Sequence, residues 1–82
     1  MTKSVFTENY ETFLKILVRL RKGIGMTQTQ LAQKIKQNQS YVSKYENGER
    51  RLDVIEFVQV AKAIGADPLQ IIDELVGNWK KM

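Results

Sequence analysis

The chain has 82 residues, with 13 Lys and Arg against 9 Asp and Glu, a net charge of +4. That length suits one small domain spanning 1–82 around a single core, and the basic balance favours an anionic partner. With no Cys and no His, disulfides, thiolate chemistry and imidazole acid–base catalysis are excluded; with no acidic metal-binding loop either, no enzyme, metal site or cofactor is expected.

From about Thr7 to Lys22, the residues Tyr10, Phe13, Leu14, Leu17 and Leu20 or Arg21 recur at spacings of three and four, which predicts an amphipathic first helix ending near Gly23 and Gly25. Thr27 and Gln30 then form a capping box, with Met26 and Leu31 at the flanking staple positions. They open a second helix, Gln28 to Ile35, that buries Leu31, Ala32 and Ile35. After a short polar turn, Asn38 caps a third helix running to about Asn47, and Gly48 suits the left-handed position that closes it. Leu52, Asp53, Glu56 and Phe57 repeat the staple and box for a fourth helix, with Val54, Phe57, Val58, Ala61 and Ile64 inward and Gly65 as its stop. Asp67 and Pro68 open a fifth, ending near Trp79, because proline in the first helical position gives up only an N–H that would lack a partner anyway. Alternation never lasts a strand length, so the fold class is all-α with five helices. No apolar run exceeds three residues, so neither a membrane span nor a secretory leader is expected, and the chain reads as cytoplasmic.

The charge is unevenly placed. Residues 15–51 hold nine basic side chains against Glu46 and Glu49, a local +7, while both ends are acidic. Such a run is often only a solvated face, but the third helix sets Gln39, Ser40, Ser43, Lys44 and Asn47 on one side and Val42 and Tyr45 on the other. Gln can pair in bidentate fashion with adenine, Lys can donate to guanine, and Ser serves either role in the major groove.

The stretch MTQTQLAQKIKQNQSYVSKYENG, residues 26–48, resembles the helix-turn-helix of the XRE family, the group of phage lambda Cro and CI-type repressors. The resemblance continues through Ala61-Lys62-Ala63-Ile64-Gly65 and covers most of residues 10 to 72. It implies a compact lambda-repressor-like DNA-binding domain with the helix-turn-helix at about 28–47, and a sequence-specific transcriptional regulator whose partner is double-stranded DNA. By this resemblance Gln39, Ser40, Ser43 and Lys44 read bases, and Gln28, Lys36, Asn38, Tyr41, Asn47, Arg50 and Arg51 contact phosphates. Arg21 and Glu46 stand where the family often joins its first helix to its third by an ion pair. The sequence departs from the pattern at Lys36, where the turn commonly holds Gly; a Lys there costs roughly 1 kcal/mol if its φ is positive.

One helix-turn-helix reads few base pairs, so a homodimer on a palindromic operator is expected. The fifth helix offers Leu69, Ile72, Leu75, Val76 and Trp79, with Ile71 beside them; these either form the dimer surface, with Ile16 and Val18 sharing the role, or close the monomer core. A different class of function stays open beside DNA binding, a helical protein-interaction adaptor with an incidental basic face. RNA binding is weaker, since no aromatic platform for unstacked bases is evident. No small-molecule ligand is expected, and the roles of phage-like repressor, restriction-modification controller and antitoxin-like autoregulator are not separable.

Overall fold

Four of the five helices begin at a side chain that accepts a hydrogen bond from the helix it opens. The computed structural model describes residues 5–81 and contains α1 (Val5–Gly23), α2 (Gln28–Lys34), α3 (Gln39–Glu46), α4 (Val54–Ile64) and α5 (Pro68–Gly77). The Thr27 hydroxyl accepts from the Gln30 N–H at 3.1 Å while the Gln30 side chain accepts from the Thr27 N–H at 2.9 Å. Asp53 and Glu56 make the same reciprocal pair at 2.7 and 2.9 Å. Asn38 accepts from the Tyr41 N–H and Asp67 from the Leu69 N–H. Each satisfies a backbone donor that would otherwise have no partner in the first turn.

The core collects Phe13, Leu14, Ile16 and Leu17 of α1, Leu31 and Ala32 of α2, Val42 and Tyr45 of α3, Phe57, Val60, Ala61 and Ile64 of α4, and Ile71 of α5. Phe13 packs on Phe57 edge to face at 5.2 Å between ring centroids. The chain end is tied back to α1: buried Asn9 donates to the Lys80 carbonyl at 3.1 Å and accepts from the Lys80 N–H at 2.8 Å. None of the helices, among the described residues, is long and apolar enough to cross a membrane.

Several placements differ from the sequence reading. Val54, expected inward, is 73% exposed, and Val60, absent from the expected stripe, is fully buried. The buried row of α4 is Phe57, Val60, Ala61 and Ile64, so Val54 in the first turn projects past the edge of the core. Ile35 is the C-cap of α2 and only half-buried. Ile16, offered as a helper of the dimer surface, is core. The fifth helix stops at Gly77 before Trp79, where Asn78 turns its side chain back onto the Glu74 carbonyl.

The turn between α2 and α3 adopts the strained form. Lys36 has φ of 58°, the one non-glycine residue at positive φ among those described. The Gln37 N–H reaches back to the Ala32 carbonyl at 2.9 Å and the Lys36 N–H to Gln33 at 3.2 Å, a helix ending that requires a left-handed residue at this position. Gly48 performs the same service after α3 at φ of 79°, without a Cβ to clash. Lys36→Gly is therefore expected to stabilise the domain by about 1 kcal/mol, seen as a higher urea midpoint with an unchanged slope. An unchanged or lower midpoint would show that the left-handed Lys carries no strain.

Candidate nucleic-acid interface

The angle of α3 is set from both sides. Beneath it, Val42 and Tyr45 are fully buried, against Leu31 and Ala32 of α2 among others in the same core; Ala32 is small enough to let the two helices approach. At its last turn, Glu46 accepts two hydrogen bonds from the Arg21 guanidinium, at 2.7 and 2.9 Å, and Arg21 donates a third to the Met26 carbonyl at 2.7 Å. Both side chains are under a tenth exposed. The Glu46 hydrogen bonds push the Arg21 pKa up, against the opposing effect of burial.

A polar chain runs outward from this pair. The Gln28 side chain donates to Glu46 at 2.9 Å and accepts from the Gln39 side chain at 2.7 Å. Gln39 is exposed, so a side chain with bidentate pairing capacity is linked through two hydrogen bonds to a buried ion pair. The sequence assigned Gln28 to phosphate; in the structure its amide is half-buried and engaged on both ends. Nothing in sequence spacing signals a contact between residues 11 apart on different helices.

Of the remaining residues assigned to bases, Ser40 and Lys44 are exposed and Ser43 is half-buried on the same helix. The Ser40 hydroxyl donates to the Asn38 side chain at 2.7 Å, so Asn38 spends its carbonyl on the cap and presents its amide N–H groups. Lys36, Lys44 and Asn47 are exposed, and neither Lys has an ion-pair partner among the described residues. Tyr41 is half-buried, with the Arg50 guanidinium 4.5 Å from its ring centroid. Arg50 also makes two bonds to Glu56, at 2.6 and 3.1 Å. Arg51 lies 4.4 Å from the ring centroid of Tyr10 on α1, whose hydroxyl accepts from the Leu52 N–H.

The local +7 is thus partly spent inside the protein. Among the nine basic residues of 15–51, Arg19, Arg21 and Arg50 are tied to Glu74, Glu46 and Glu56. The sequence reading missed Glu56 as the partner of Arg50. The capping box announced Glu56, but its second use depends on how the 47–53 loop returns to α4.

Residues 17–71, more than half of the chain, match the family model described as helix-turn-helix. Among solved structures, an XRE-family like protein from Pseudomonas syringae pv. tomato is 39% identical, with a TM-score of 0.88 and 93% of each chain covered. The restriction-modification controller protein C.AhdI from Aeromonas hydrophila is 26% identical, with a TM-score of 0.71 over 78% of this chain and 97% of that one. The clp gene regulator ClgR from C. glutamicum shares the fold, at 23% identity and a TM-score of 0.77 over 90% of this chain and 96% of that one. A comparison with curated proteins finds no match. The chain belongs to the XRE-type helix-turn-helix family, a family of DNA-binding transcriptional regulators.

Hydrogen bonds from the Arg50 guanidinium, and then the Asp53 N–H, hold the Glu56 carboxyl down at about 2, against an ordinary value of 4.5. A carboxyl depressed in the folded state stabilises it fully above the ordinary value and loses that contribution as pH falls toward the folded one. The stability gap between the wild type and Glu56→Gln is therefore expected to narrow as pH is lowered from about 6 to about 2.5. Urea unfolding across that range checks it, and a gap independent of pH would contradict the depressed carboxyl.

Proposed function

We propose that the protein is a sequence-specific regulator that binds a palindromic DNA operator as a homodimer, one α3 in the major groove of each half-site. The observation that carries this reading is the outward row Gln39, Ser40 and Lys44 on α3, a hydrogen-bonding surface held at one end by the Gln28 bridge to Glu46. Gln39 suits adenine and Lys44 guanine, with Ser40 adaptable and the deeper Ser43 reaching only when α3 is fully seated. Lys36, Asn38, Tyr41, Asn47, Arg50 and Arg51 border that row and position it on phosphates, Arg50 by exchanging Glu56 for a phosphate oxygen. Gln28 contributes chiefly through the N–H end of α2 and through its hold on Gln39. Half-sites lie roughly 34 Å apart, one helical turn. Such work places the protein in the cytoplasm, with the DNA.

Selection of bound sites from a random DNA pool, followed by footprinting, tests the reading: it is expected to return a palindrome with two major-groove footprints and an affinity that falls steeply with salt. A flat salt dependence with no enriched sequence would favour the protein-adaptor alternative. On the selected site, Gln39→Ala is expected to cost about 1–3 kcal/mol and to relax preference at one position of each half-site. Uniform weakening across all sites would remove Gln39 from base reading.

A further inference from the structure

Arg50 and Arg51 are neighbours in the loop after α3, yet their guanidinium groups rest on different rings: Arg50 4.5 Å from the centroid of Tyr41 on α3, Arg51 4.4 Å from that of Tyr10 on α1. Their donors are used differently. Arg50 gives hydrogen bonds to both Glu56 carboxylate oxygens and to the Arg51 carbonyl, whereas the Arg51 guanidinium makes no hydrogen bond or ion pair among the described residues. Tyr10 also fixes the backbone next to Arg51, its hydroxyl accepting from the Leu52 N–H at 3.1 Å. The sequence reading placed Tyr10 only in the inward stripe of α1.

We propose that Tyr10 is a positioning residue for DNA binding: it holds Arg51 for a backbone phosphate, at a distance from α3 that α1 sets, and itself touches no DNA. This rests on the phosphate role of Arg51 proposed above and supplies the residue through which that role is prepared. A cation held over a ring face keeps its in-plane N–H donors unspent, and a guanidinium offers those donors in pairs that match phosphate oxygens. Tyr10 thus restrains Arg51 without competing for what a phosphate needs. Less side-chain entropy then remains to be lost on binding. Arg50, by contrast, must release Glu56 first.

One helix serves both ends of the interface. Near the C-terminal end of α1, Arg21 holds Glu46 in the last turn of α3. About three turns earlier, roughly 16 Å along the helix axis, Tyr10 holds Arg51 and the Leu52 N–H. Tyr10 is itself anchored, half-buried with its ring centroid 5.7 Å from that of the buried Phe13. The loop cannot slide along α1 without giving up both the ring contact and the backbone hydrogen bond. The spacing between the outward row of α3 and the Arg51 guanidinium is therefore a property of α1.

Affinity of the full chain for its selected operator across a salt series tests this, using the wild type, Tyr10→Leu, Tyr10→Phe, Arg51→Ala and the double variant Tyr10→Leu/Arg51→Ala, each well below its thermal midpoint. Tyr10→Leu is expected to weaken binding about two- to fivefold per half-site, the measure of an exposed cation–π contact. Tyr10→Phe, which keeps the ring, is expected to retain most of that affinity. Arg51→Ala is expected to lower the salt slope by about one per half-site, and Tyr10→Leu to cost nothing further in that background. A Tyr10→Leu loss that persists in full without Arg51 overturns the proposal, since Tyr10 would then act on the fold at large; so does a Tyr10→Phe variant as weak as Tyr10→Leu. An Arg51→Ala slope equal to that of the wild type removes Arg51 from the phosphate contacts, and the role of Tyr10 with it. A wild type without salt-dependent operator binding overturns the regulator reading itself.

Discussion

Arg21 and Glu46 are opposite charges taken out of water, and they hold together what the rest of the molecule needs held. Removing either charge from solvent costs several kcal/mol, which close attraction offsets only when the geometry is good and the remaining donors find acceptors. Both conditions are met: the contact is bidentate, and a third guanidinium bond goes to the Met26 carbonyl in the segment before α2. One ion pair thereby ties α1, the start of α2 and the last turn of α3. A tilt of α3 would pull Glu46 off the guanidinium and leave a buried charge without its partner, so the pair resists it more steeply than apolar contacts, which tolerate small slides, could do alone.

From that constraint the outer face follows. Gln28 can reach both Glu46 and Gln39 only because the start of α2 and the two ends of α3 are held in register, and Gln39 then enters any complex already oriented. An oriented side chain has less conformational entropy left to lose on binding, which favours affinity as well as selectivity. The charge distribution shows a division: Arg21, Arg19 and Arg50 are engaged by carboxylates, while Lys36 and Lys44 are exposed and make no ion pair among the described residues. A net +4 is modest, but Lys36 and Lys44, two of its exposed cations, lie before and on the helix that carries the hydrogen-bonding row, where short-range attraction is least screened by salt.

Much of this was legible in the sequence, and what was legible is local. The caps at Thr27, Asn38, Asp53 and Asp67 and the stop at Gly65 act within one turn of chain, so residue type and spacing announce them, and the helix boundaries fall within a few residues of the reading. The positive φ of Lys36 was foreseeable only through the family's glycine at that place. What periodicity could not give is where a stripe meets the edge of the core. Val54 and Val60 both lie at helical spacing from Phe57, and only the packing of α4 against α1, α2 and α5 decides that Val60 is buried and Val54 exposed. Ile16 likewise looked surplus to a narrow stripe, yet α1 is packed by several helices and buries a wide one. The Gln28–Gln39 and Arg50–Glu56 contacts join different elements and leave no mark in local pattern.

The measurement that bears most directly on this account is a double-mutant cycle on the buried pair, Arg21→Met, Glu46→Leu and the two combined, read by urea unfolding. Each single change leaves a buried charge without its partner and is expected to cost about 3–5 kcal/mol. The double change removes both charges and is expected to be more stable than either single variant, with a coupling of at least about 2 kcal/mol. Losses that simply add would show that Arg21 and Glu46 act independently, and would contradict the claim that their pairing sets the position of α3.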